Sequence, residues 1–311
     1  HTDIEIEHLR RMAATLREKK IKTPSGLWSL TLLYSGLNDA TIQQYWHPMA
    51  FAEFEKRFAT AITANPNDPF LYILRAQVLY AQAIAAMDPA TAPEGTPEAQ
   101  GEAIEARVSA FMNYLDEIHD KASSDPGWYR LALSARSSWC IALEDRWAIL
   151  TEAMEKFPDF HQLYFEVVQA AHRCDRVTRN ITAYKVVDMA AQKLGAVQGD
   201  ALYARTMWYM SQLDNSEHIF ATDLVDWHRM RRGIDHILAQ HGDTWNVNHF
   251  AKFACTGGDK TVALRLLPKV VQNPLQHVWG NPGRFGACWQ WSRHPDTPDR
   301  YTVRRAPRSA L

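Results

Sequence analysis

The 311-residue chain carries 34 basic and 35 acidic side chains, a formal net charge of -1, so electrostatics give no reason to expect nucleic acid or an anionic membrane as its partner. Hydrophobic residues make up 46% and charged residues 22%, which excludes a disordered or collagen-like chain. No stretch approaches the ~18 uninterrupted apolar residues of a membrane-spanning helix.

The chain opens at His1 rather than Met, as it would after removal of a signal peptide or a tag. From Glu5 to Lys20 it reads as a charged amphipathic helix. Between Phe70 and Ala86, Leu71, Leu74, Val78, Ala81 and Ala85 mark one face while Tyr72, Ala76, Leu79 and Ala83 mark another. A helix apolar on nearly all sides belongs between other helices. Asp88 to Gly101 then packs three prolines and two glycines into fourteen residues, which predicts an exposed loop and the best boundary between an N-terminal part and the rest.

Beyond it, Ile104, Val108, Phe111, Leu115 and Ile118 advance by fours and threes, one apolar stripe down a helix. Similar stripes run through Leu163, Val167 and Ala171, through Leu202, Thr206, Tyr209 and Leu213, through Trp227, Met230, Ile234 and Ile237, and through Val247, Phe250, Ala251 and Ala254. Strand-like alternation is scarce, so the predicted fold class is all-α.

Asn67-Asp68-Pro69, Ser124-Asp125-Pro126 and Pro158-Asp159-Phe160 read as helix starts. Asp accepts a hydrogen bond from the free N-H groups of the first turn, and Pro suits a position that needs no donor. Gly199-Asp200, Gly242-Asp243 and Gly258-Asp259 read as corners, the Gly ending one helix and the Asp capping the next. Asp125, Asp159, Asp200 and Asp243 are 34, 41 and 43 residues apart, the range of two-helix repeats. The expectation is a tetratricopeptide-like superhelix of antiparallel helix pairs, one continuous domain over residues 1–279. Residues 280–311, with Arg284, Arg293, Arg300, Arg304, Arg305 and Arg308 against Asp296 and Asp299, read as an irregular basic tail covering the last helix pair.

Two blocks carry a resemblance. The first is Lys22-Thr23-Pro24-Ser25-Gly26-Leu27-Trp28 running into Leu33-Tyr34-Ser35-Gly36-Leu37. The second is Trp227, Arg231, Gly242-Asp243, Trp245, Asn248, Phe250-Ala251, Ala254-Cys255 and Gly258-Asp259. Together they look like an uncharacterised bacterial family with tetratricopeptide-like helices. That resemblance implies bacterial origin and a helical fold, and it brings no activity, cofactor or catalytic residue.

Catalytic motifs are missing. Gly257-Gly258-Asp259-Lys260-Thr261 lacks the first Gly and the preceding strand of a phosphate loop, and neither GxSxG nor HExxH occurs. His228, His236, His241 and His249 crowd within 22 residues without the i, i+4 pair that puts two metal ligands on one helix face, and His218 and His277 have no assignable partner. Asp223 and Asp226 read as helix-start acids rather than an acid-base pair. Cys140, Cys174, Cys255 and Cys288 form no CxxC pair, so disulfides are open, zinc is unsupported, and Cys255 reads as a small buried residue. The cytoplasm is favoured over the periplasm.

What remains is aromatic residues among arginines: Trp28 and Tyr34 early, and Trp227, His228, Arg231, Trp245 and Asn248 late. These would serve a non-catalytic scaffold that binds a protein or peptide, with no cofactor or metal. For Trp28, Trp227 and Trp245 taken singly, core packing is the preferred reading. The alternative is an enzyme assembled from dispersed residues around 227–255. A closed pocket holding His228, Arg231 or His249 would favour it; an open groove lined by Tyr, Trp, Arg and Asn would favour binding.

Overall fold

A computed structural model describes residues 2–44, 48–87, 96–175, 177, 179–213, 219–220 and 225–299. These are predominantly helical, with a Lys22–Trp28 bridge as the sole strand-like pairing among them. None of the described helices is long and apolar enough to cross a membrane. The chain divides into two compact units, His1–Thr23 with Leu27–Asp175, and Pro24–Gly26 with Arg176–Leu311. The division between the units falls after Asp175.

The first unit comprises α1 (Thr2–Glu18), α2 (Ser29–Gln44), α3 (Pro48–Ala64), α4 (Pro69–Ala85), α5 (Pro97–Glu117), the single-turn α6 (His119–Ala122), α7 (Pro126–Trp139), α8 (Arg146–Lys156) and α9 (Gln162–Cys174). The helix expected to be apolar all round is α4, and it touches α1, α2, α3, α5, α6 and α7. Phe70, Leu71, Ile73, Leu74 and Val78 on it are buried, each stabilising the fold by about 1.5–3 kcal/mol.

The second unit comprises α10 (Arg179–Leu194), α11 (Ala196–Leu213), α12 (Trp227–Gln240), α13 (Thr244–Gly257), α14 (Lys260–Val270), α15 (Gln276–Trp279) and α16 (Pro282–Arg293). The α12 stripe of Trp227, Met230, Ile234 and Ile237 and the α13 residues Val247, Phe250, Ala251 and Ala254 are buried in one core. Helices α11 and α12 pack closely because position 233 is glycine: a Cβ there would stand 2.1 Å from the Asp200 carbonyl oxygen.

Helix starts follow the short-range chemistry. Asp68, Asp125, Asp226, Asp243 and Asp259 each accept a hydrogen bond from a backbone N-H of the first turn, a contact worth ~1 kcal/mol. Gly258, at φ 80°, closes α13 directly before Asp259 opens α14.

Several expectations fail. Pro97 to Gly101 are not loop: Thr96 caps α5 through Ala99 N, and Pro97 fills the first helical position, so the same proline that reads as a breaker starts a helix. The rest of that segment, 88–95, lies outside the described residues. Asp159 caps nothing, since α9 begins at Gln162. Gly199-Asp200 sits inside α11, and the turn before that helix uses Gly195 at φ 80°. Residues 282–293 of the tail are not irregular either. Asn281 and Pro282 start α16, which packs on α13, α14 and α15; residues 300–311 lie outside the described set.

Candidate functional site

The aromatic residues singled out by sequence are mostly structural. In the first unit Trp28 is 2% exposed; its Nε1 donates to Asp159 Oδ2 at 3.3 Å and its ring meets Phe160 edge-on. Tyr34 is equally buried, and its ring lies where a Cβ on Gly127 would collide with it. Burial, and after it the neighbouring Asp125 charge, raises the phenol well above its ordinary pKa. Asp125 itself is fully buried, bound by Arg17 Nη1 at 2.6 Å and Gly127 N at 2.8 Å. Burial pushes its carboxyl pKa up, against the Arg17 charge and these hydrogen bonds.

In the second unit the buried Trp227 donates Nε1 to Asp259 Oδ2 at 2.8 Å, and Arg231 Nε stands 3.3 Å from the same oxygen. His228 is exposed on α12. Asn248 is fully buried and doubly engaged at both ends. Its Nδ2 donates to the Thr244 and Asn273 carbonyls, while its Oδ1 accepts from Leu275 N and Trp279 Nε1 at 3.0 and 2.9 Å. Trp245 is half-buried, its ring 4.0 Å from that of His249 and 4.9 Å from that of Trp208. Trp28 and Tyr34 therefore belong to one unit and the late block to the other, and within the late block Asn248 and Trp245 hold other side chains in place.

What they hold is a cleft. Asn248 fixes Trp279 and the start of α15, and Trp245 backs His249. Between α11, α13, α15 and α16 this leaves a cavity of about 260 Å³ lined by Ser211, Gln212, His249, Lys252, Phe253, His277, Val278, Gly280 and Arg284. His249 and Lys252 are three apart on α13, hence on one face. Lys252 Nζ donates to the Val278 carbonyl, which fixes the ammonium at the wall. Ser211 Oγ donates to the Trp208 carbonyl at 2.6 Å and accepts from Gln212 Nε2 at 3.1 Å. Gln212, His277 and Arg284 are exposed, so the rim is open to solvent. Among the described residues no acidic side chain lines this cleft, and no carboxylate pairs with Arg284.

His249 is 7% exposed. Burial, then the nearby Lys252 and His277, pushes its pKa down to about 4. Its Nδ1 lies 3.0 Å from the Trp245 carbonyl oxygen; a carbonyl only accepts, so Nδ1 carries the proton and Nε2 keeps the lone pair. At neutral pH the cleft therefore presents a neutral imidazole beside an ammonium and a guanidinium.

Lys252 and Arg284 also line a second cavity, about 360 Å³, with Cys255, Thr256, Trp279, Ala287, Cys288 and Trp291. Cys255 and Cys288 form a disulfide across it, joining α13 to α16, and Cys140 and Cys174 form another in the first unit. Their Cα atoms are 5.8 and 5.5 Å apart, the usual disulfide span. Cys255 is thus a crosslink rather than a free core thiol. Among the described residues no group of three His, Cys, Asp or Glu side chains is placed to hold a metal.

Sequence reasoning missed Lys252 and left His277 and Arg284 without partners. The His249–Lys252 spacing was the one readable signal. His218 and Asp223 lie outside the described residues. Comparison of the chain with family models, curated proteins and solved structures finds no match.

Proposed function

We propose that the protein is a non-catalytic, helical-repeat binding protein that recognises a protein or peptide ligand through an anionic group received in the cleft of the second unit. The observation that carries this reading is the convergence of His249, Lys252, His277 and Arg284 on one cavity. An anion received there gains charge-assisted hydrogen bonds from the ammonium and the guanidinium. The open rim fits a ligand that enters in part, as a peptide does. A pKa near 4 makes His249 a weak base at neutral pH, which counts against the enzyme alternative.

The two disulfides support an oxidising compartment, since such bonds are rare where glutathione keeps thiols reduced. That is the reverse of the cytoplasmic preference drawn from sequence. The family resemblance and its bacterial origin stand with this proposal.

The test is a titration of the intact chain with acetate and inorganic phosphate, followed by tryptophan fluorescence and repeated on Arg284→Glu. The expected result is saturable binding by the native chain that weakens with salt and is lost in the variant. Equal, non-saturating responses from both chains would remove the cleft from consideration.

A further inference from the structure

Within the first unit the Cys140–Cys174 disulfide ties the end of α7 to the end of α9: Cys140 is the C-cap of α7 and Cys174 the last residue of α9. Three observations set this end of α7 apart. Cys140 is exposed and Cys174 half-buried, whereas in the other disulfide Cys255 is half-buried and Cys288 only 7% exposed. Cys140 has φ 54° and Ala142 φ 44°; with Lys20 they are the described non-glycine residues in the left-handed region, where a Cβ crowds the following carbonyl oxygen. The last turn of α7 also buries Arg136 Nε, Ser137 Oγ and Trp139 Nε1 without a hydrogen-bond partner, and each would be served by water if the turn opened. Against these costs stand the crosslink, the Trp139 ring packed on Tyr80 and Phe111, and the contact of the Tyr80 and Ser138 hydroxyls at 2.6 Å.

We propose that the Cys140–Cys174 disulfide is a redox latch, cleaved by a dithiol reductant ahead of Cys255–Cys288, after which the turn over residues 137–142 opens locally to water. A thiolate of the dithiol attacks the Cys140 sulfur, which is the exposed side of the bond. The new S–S bond joins the reductant to Cys140, and the Cys174 sulfur leaves as a thiolate that takes a proton from water. The second thiol of the reductant, deprotonated, then displaces the Cys140 sulfur, which is protonated in the same way. The protein disulfide is reduced to two thiols and the dithiol is oxidised to a disulfide. Released from the crosslink, Cys140 and Ala142 leave the left-handed region, and Ser137 Oγ and Trp139 Nε1 gain water. Helices α7 and α9 stay docked, because they meet along faces that are buried over most of their length, so the opening is a local one. The inference is independent of the cleft in the second unit.

The test exposes the intact oxidised chain to dithiothreitol without denaturant, alkylates samples at timed intervals and maps the modified cysteines by peptide mass spectrometry, with amide hydrogen exchange followed in parallel. Cys140 and Cys174 are expected to be alkylated at least tenfold faster than Cys255 and Cys288. Once that first pair is reduced, the amides of residues 137–142 should exchange at least tenfold faster while those of α4 remain protected. The double variant Cys140→Ser/Cys174→Ser should show the same fast exchange of the turn with no reductant present, and Cys255→Ser/Cys288→Ser should leave the turn as slow as in the native chain. Equal rates of alkylation, the reverse order, or a first pair that resists the reductant would overturn the latch. So would a turn that stays protected after reduction, or an α4 that exchanges as fast as the turn, since that is unfolding rather than local opening.

Discussion

Each unit is pinned by one fully buried aspartate that caps a helix and gathers an arginine and an aromatic ring: Asp125 with Arg17 and Tyr34 in the first, Asp259 with Arg231 and Trp227 in the second. Their clefts differ in charge. The first unit has a 310 Å³ groove between α1 and α3 in which Glu7 pairs with Arg10 and Glu53 with Arg57. The described lining of the second unit's cleft includes Lys252, His277 and Arg284.

Removing the buried anion is the strongest way to break the comparison. Asp125→Ala strands Arg17, and the loss is expected to be about 3–5 kcal/mol in urea unfolding. Asp259→Ala should cost less, about 2–3 kcal/mol, because the Arg231 side chain is 31% exposed against 18% for Arg17 and can rehydrate. Equal losses would show that the two nodes do not differ by exposure.

The disulfides sharpen it further. Their sequence separations, 34 and 33 residues, are nearly equal, so the double variants Cys140→Ser/Cys174→Ser and Cys255→Ser/Cys288→Ser should lose similar stability, about 3–4 kcal/mol each. Only the second pair is expected to weaken anion binding, because it ties the helix of Lys252 to that of Arg284. If both pairs, or neither, alter binding, the disulfide has no part in holding the cleft.

His249 predicts a pH effect confined to the second unit. Its folded pKa of about 4 lies below the unfolded value near 6.5, so the unfolded chain takes up the proton first as pH falls. Stability from this group is therefore present at pH 7 and lost toward pH 4, about 2 kcal/mol of it by pH 5. The pH dependence of urea unfolding, compared between native chain and His249→Phe, should differ by that amount; parallel curves would refute the shift.

The smallest effects on stability belong to the surface cations. Arg284→Glu and Arg57→Glu should each change stability by under ~0.5 kcal/mol. Binding should fall at least tenfold in the first and be unaffected in the second. A binding loss in both would mean that net charge, rather than the cleft, attracts the anion.

Much of the scaffold was legible. The 104–118 stripe, the all-round apolar segment from Phe70 and the Asp68, Asp125 and Asp259 caps are each written within a few residues of chain. Misreadings arose where one local signal has two meanings. Pro97 fits a loop or a first helical turn, and Gly199-Asp200 fits a corner or the close approach of two helices; only the surrounding packing separates them. At the site, Trp245 and Asn248 were flagged for contact and turn out to support it. Lys252 was missed, and His277 and Arg284 were not assigned to a site, because nothing local distinguishes them from solvated charges.

The sequence by itself determined the helical content, most helix starts and which faces are apolar, because hydrogen bonds between residues four apart and caps within one turn are short-range effects. Tertiary structure decided the split into two units, the pairing of the cysteines and the convergence of side chains from Ser211 to Arg284 on one cleft. Those outcomes depend on which helix faces meet, and that is set by packing summed over many residues far apart in the chain.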